Sequence, residues 1–196
     1  MTAPERTERP ERGSEPEVTV RIGEAKFAAS GSLKATLGSC VGIGLLWRAR
    51  QRCVLAHCLL PSAPAQGVSS PFRVDASADA SVSARYVGDT LPVLFQLLEV
   101  DRRAYGELEA VLVGGARLAK LGLGAAGQIG LHNIDAARLA LTRAGLRVVL
   151  EQVGGERGWQ VWLDASQMRY SAREIAVPPD RLTAPHEGLH GHARTR

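Results

Sequence analysis

Val41-Gly42-Ile43-Gly44-Leu45-Leu46-Trp47 and, beyond a charged break at Arg48 to Arg52, Cys53-Val54-Leu55-Ala56-His57-Cys58-Leu59-Leu60 decide how this chain folds. Both runs are apolar nearly throughout, without the alternation of a half-exposed strand, and read as strands buried on both faces. Gly42 and Gly44 are small residues where another element can approach the backbone closely. Pro61 ends the second run, and the charged turn returns it antiparallel to the first, forming a hairpin. With the turn near residue 49, the early part of one strand lies opposite the late part of the other. Cys40, just ahead of the first strand, and His57, near the end of the second, therefore become neighbours.

A thiol becomes a useful nucleophile when a nearby imidazole or backbone N–H groups lower its pKa. The tight turn Gly38-Ser39-Cys40 can supply such donors, which would also hold an oxyanion. His57 would take the thiol proton and return it to a leaving amine, since imidazole titrates near neutral pH. That is acyl-transfer chemistry on an amide or ester. Taken alone, however, a Cys on an apolar strand is more often a small core hydrophobe, and a lone His more often a structural residue. Cys53 and Cys58 are read that way, and Ser39 as a turn residue, because no G-x-S-x-G elbow surrounds it.

Outside the hairpin, 196 residues with 45% hydrophobic content suffice for one core and one globular domain. Only 5% are aromatic while Ala, Gly, Val and Leu abound, which suits an α/β or α+β layer structure. Val18 to Ile22 and Ala25 to Ala29 read as short strands, and a helix is expected from Ala80 with Tyr86, Thr90, Val93, Leu94, Leu97 and Leu98 on one face. A strand over Leu108 to Val113, a helix-like piece over Ala116 to Leu121, a helix over Asn133 to Ala144 stopped by Gly145, and strands over Leu146 to Val153, Gln160 to Asp164 and Met168 to Ile175 complete the set. Residues 1–17 and 177–196 are polar and expected to be disordered tails around a domain over 18–176. Residues 62–78, rich in Ser, Ala and Pro, are expected to form a lid or substrate-rim loop.

No apolar run approaches the span of a bilayer, and the first residues lack the apolar stretch of a signal peptide, so a cytoplasmic protein is expected. Three cysteines without C-x-x-C spacing suit free thiols in a reducing compartment. The net charge of +4 is spread among acidic residues, not gathered into a basic stripe, which argues against nucleic acid. Gly122-Leu123-Gly124-Ala125-Ala126-Gly127 matches G-x-G-x-x-G, but it does not directly follow a strand, as pyrophosphate binding requires. His186, His190 and His192 lie in the second tail, where no preorganised metal geometry is expected.

Thr36-Leu37-Gly38-Ser39-Cys40-Val41, then Ala56-His57 and Leu59-Leu60-Pro61, resembles the signature of the CheD family of chemoreceptor glutamine deamidases. Ile22-Gly23-Glu24, Arg85-Tyr86, Gly114-Gly115-Ala116, Ile129-Gly130 with Asn133, and Gly154-Gly155 match in order, so that the similarity covers about residues 18–176. The resemblance implies a three-layer α/β sandwich that hydrolyses side-chain amides of particular glutamines on methyl-accepting chemotaxis receptors, releasing ammonia. In some members it also implies hydrolysis of glutamyl methyl esters. It puts the nucleophile at Cys40 and the base at His57, with a thioester intermediate, and calls for neither metal nor organic cofactor. It also implies a CheC-type phosphatase as partner.

The family's orienting Thr commonly stands six residues before the Cys; here that position is Lys34, and Thr36 stands four before. Thr36 takes that role only with a short deletion between them. His132 and Trp159 stand where relatives often carry basic residues. Two other readings remain: an adaptor that binds a phosphatase or receptor without turnover, and a cysteine hydrolase with another amide or ester substrate.

Overall fold

A computed structural model describes residues 16–63, 84–117 and 128–175. The hairpin expected from the apolar runs is its centre: β4 (Val41–Trp47) and β5 (Arg52–Cys58) pair antiparallel, with Val41 opposite Cys58 and Gly42 opposite His57. Arg48–Arg50 forms a single 3-10 turn between them, and Gln51 closes it in the left-handed region at φ 48°. Every residue of β4 is buried, as the unbroken apolar run requires.

Around this hairpin a five-stranded sheet runs in the order β2-β5-β4-β6-β7, from β2 (Ala25–Ala28) to β6 (Glu109–Gly114) and β7 (Arg147–Val153). All its pairs are antiparallel except β6 with β7, and the sheet is therefore mixed. A second sheet, β1-β3-β8-β9, comprises β1 (Glu17–Thr19), β3 (Ser32–Leu37), β8 (Trp159–Asp164) and β9 (Arg169–Glu174).

Strand alternation sends side chains of the central hairpin into two separate cores. Val41, Ile43, Leu45, Val54 and Ala56 face α1 (Val87–Leu98) and α2 (Ile129–Arg143), meeting Leu91, Leu94, Leu98, Ala137 and Leu141. Leu46, Cys53 and Leu55 face the second sheet, meeting Leu33, Leu37, Val161 and Leu163. The layers are thus helices, five-stranded sheet, four-stranded sheet: a three-layer α/β sandwich in one domain. Gly44 shows why the middle strand is glycine-rich, since a Cβ there would stand 2.7 Å from Leu163 Cδ1 of the opposing sheet. Among the described residues no helix is long and apolar enough to cross a membrane.

Some expected boundaries move. Glu17, expected in the tail, is the first residue of β1 and ties that strand to β3 through its carboxylate, 3.1 Å from Lys34 Nζ. α1 begins at Val87, not Ala80: residues 84–86 are not helical, and Tyr86 is extended and bridges Leu60 before the helix starts. α2 starts one turn earlier than its apolar spacing suggests, at Ile129. Of the helix-like piece expected over Ala116 to Leu121, Ala116 and Arg117 are described and are not helical; its remainder, the rim loop at 62–78 (save 62–63), the G-x-G-x-x-G string and both tails save residues 16–17 lie outside the described residues, as do the three C-terminal histidines.

Candidate active site

Cys40 ends a three-residue bend, Gly38 to Cys40, that carries the chain from β3 in one sheet to β4 in the other. The bend's carbonyls are all held from the same side of the fold. Ala116 N–H donates to Gly38 O at 2.8 Å and Gly115 N–H to Cys40 O at 2.7 Å. Asn133 Nδ2 donates to Ser39 O at 2.9 Å. All three carbonyls of the bend are thus held by donors from just past the end of β6 and from α2.

Cys40 lies in the core between the sheets and is 6% exposed. His57, 3% exposed, has the strand parity of Cys53 and Leu55 and so projects into the same layer. Its partner across the ladder is Gly42, which offers no side chain, and Cys40 stands two residues before Gly42 on the same side. Diagonal neighbours of this kind have Cβ atoms within about 7–8 Å, inside the reach of an imidazole. The hairpin register thus puts Cys40 and His57 on one face of the hairpin, with no hydrogen bond between the two side chains.

The segment before β2 holds the histidine at three points. His57 N–H donates to Glu24 O at 2.9 Å, Gly23 N–H donates to His57 O at 2.8 Å, and Val20 O lies 3.2 Å from Nδ1. A carbonyl can only accept, so Nδ1 carries the proton and Nε2 has the lone pair. Nε2 is buried and has no partner among the described residues. Gly23 meets its part at φ +80°, a left-handed conformation that suits glycine.

Electrostatically the pair rests neutral. Burial pushes the Cys40 thiol up to about 11, against a smaller opposing pull from its own backbone N–H. Burial likewise lowers the His57 pKa, with the Val20 carbonyl and the Glu24 carboxylate acting in the opposite direction. Cys53 and Cys58 are held as thiols, each pushed to about 12 by burial. Cys58 faces the helices, with its sulfur 3.2 Å from Thr90 Oγ1, on the other side of the hairpin from His57.

Thr36 stands elsewhere. It is exposed on the outer face of β3, between inward Ala35 and Leu37, and its hydroxyl accepts from Gln160 Nε2 at 3.3 Å. Lys34 shares that outer face, near the ring of Trp162. In this structure the imidazole is held by the Val20 carbonyl, a backbone group that no residue-type motif can signal. Asn133 joins the site without being expected there from its chemistry, although Ile129-Gly130 with Asn133 marks its position in the sequence.

The family described as CheD chemotactic sensory transduction matches residues 69–174. A protein of Bdellovibrio bacteriovorus named "Probable chemoreceptor glutamine deamidase CheD" is 37% identical over 144 residues, covering 71% of this chain and 83% of its own length. One of Ruegeria sp., with the same name followed by 2, is 32% identical over 165 residues, covering 81% and 92%. A Thermococcus kodakarensis protein of the first name is 32% identical over 163 residues, covering 82% and 94%.

Proposed function

The chain belongs to the CheD family, and from that premise we propose that it deamidates glutamines of methyl-accepting chemotaxis receptors to glutamate, as a protein-glutamine glutaminase, with Cys40 as nucleophile and His57 as base. The observation that carries the site is the unpartnered Nε2 of His57 on the Cys40 side of the hairpin, with Nδ1 engaged by Val20.

In this reading, Nε2 takes the thiol proton as sulfur attacks the glutamine carboxamide carbon, and the N–H groups of the Gly38-Ser39-Cys40 bend receive the oxyanion. The imidazolium returns its proton to the leaving nitrogen, releasing ammonia and leaving a thioester. Nε2 then deprotonates a water, which attacks the thioester, and the proton returns to sulfur as glutamate forms. The Val20 carbonyl fixes the tautomer that this sequence needs. A receptor cytoplasmic fragment incubated with the protein should show the mass gain of an amide-to-acid conversion at particular glutamines. Fragments from cognate receptors that remain unchanged would overturn the assignment.

The neutral resting pair has its own consequence. A thiol near 11 should be alkylated slowly by iodoacetamide at neutral pH, and about tenfold faster for each unit of pH up to that value. The rate kcat/KM should fall in acid only below the usual imidazole value of 6.5, as the lowered His57 pKa is crossed and the base is protonated. A fast, pH-independent alkylation at neutral pH would instead reveal a resting thiolate–imidazolium pair.

The cellular setting belongs to the same proposal: a cytoplasmic protein that meets a CheC-type phosphatase. Co-elution of the two purified proteins on gel filtration is the expected result, and separate elution at micromolar concentration would remove that partner.

A further inference from the structure

We infer that Asn133 is a positioning residue for the Cys40–His57 pair, an inference that rests on the chemistry proposed above. Asn133 is fully buried in the second turn of α2. Its single amide nitrogen donates twice, to Ser39 O at 2.9 Å and to Leu59 O at 3.0 Å. Ser39 immediately precedes Cys40, and Leu59 lies two residues beyond His57. The β4–β5 ladder stops at Val41 opposite Cys58, so the next pair in register would be Cys40 and Leu59. Asn133 supplies a cross-link at the point where the ladder's own bonds end.

The side chain's other end sharpens the argument. Asn133 Oδ1 is buried and has no partner among the described residues. Leaving a buried acceptor unmatched is unfavourable, a loss set against the two carbonyls that Nδ2 satisfies. What the residue provides is a fixed spacing between the bend that carries the nucleophile and the strand that carries the base. Misplacement of reacting groups by a fraction of an ångström lowers turnover more than binding.

The test uses full-length Asn133→Ala and Asn133→Asp with a receptor fragment, beside wild type and Cys40→Ala. Asn133→Ala should lower kcat about 10- to 100-fold with KM changed less than about threefold. Asn133→Asp keeps the shape but can donate only when its carboxyl is protonated, so its kcat relative to wild type should rise as the pH is lowered. A folded Asn133→Ala with kcat within about twofold of wild type overturns the inference. Should Asn133→Ala fail to fold, a flat pH ratio for Asn133→Asp overturns it instead. Activity in Cys40→Ala would remove the proposed chemistry itself, whereas an inactive Cys40→Ala beside fully active Asn133 variants removes only the positioning role.

Discussion

Replacing Cys40 with alanine should lower conversion of receptor glutamine to glutamate by about a thousandfold or more. Without the thiol no thioester can form, and a water held by His57 would have to attack an unactivated amide directly. The fold should survive, because one buried sulfur is lost from a core otherwise made of Leu37, Val113, Val161 and their neighbours, at a cost of about 1 kcal/mol. Mass spectrometry of the receptor fragment reads the activity, and urea unfolding reads the stability. Loss of both together would mean that the substitution damaged the bend. Full activity in Cys40→Ala would transfer the chemistry away from this thiol altogether.

Gly114→Ala, by contrast, should attack the site through the backbone. Gly114 ends β6 at φ +108°, and a Cβ built on it runs into Cys40 O while standing 3.1 Å from Leu37 Cβ. Cys40 O is fixed by Gly115 N–H, so it cannot give way without releasing the bend. Left-handed strain and overpacking together should cost about 3–5 kcal/mol, a large share of a domain's stability. Gly145→Ala is the control. Gly145 has φ +68°, but an added Cβ would meet nothing within 4 Å, so strain alone acts there, at about 1–2 kcal/mol. Comparable losses for the two variants in denaturant unfolding would show that the contact with Cys40 is unimportant.

The central hairpin was legible because buried strands leave an unbroken apolar record, and because one charged turn sets the register for every pair that follows. The placement of Cys40 and His57 on one face follows from that register. β3 was harder to see: Leu33, Ala35 and Leu37 alternate with Ser32, Lys34 and Thr36, but the short run merges into the Gly38 bend and gives no separate strand signal. The same alternation sends Thr36 outward, a direction that counting residues back from the cysteine does not reveal. The start of α2 was obscured because Gly130 falls in its first turn and Gln128 gives no side-chain cap. The expected helix begins at Asn133, whereas that residue's place in the second turn of α2 sends its amide to the bend. The hold on His57 had no sequence signature, since Val20 acts through its main chain.

The burial of Cys40 also bears on what can reach its sulfur. Among the described residues Cys40 is 6% exposed and His57 3%, so both side chains are nearly closed to solvent. Access therefore selects by size: a small thiol reagent should reach Cys40 faster than a bulky one.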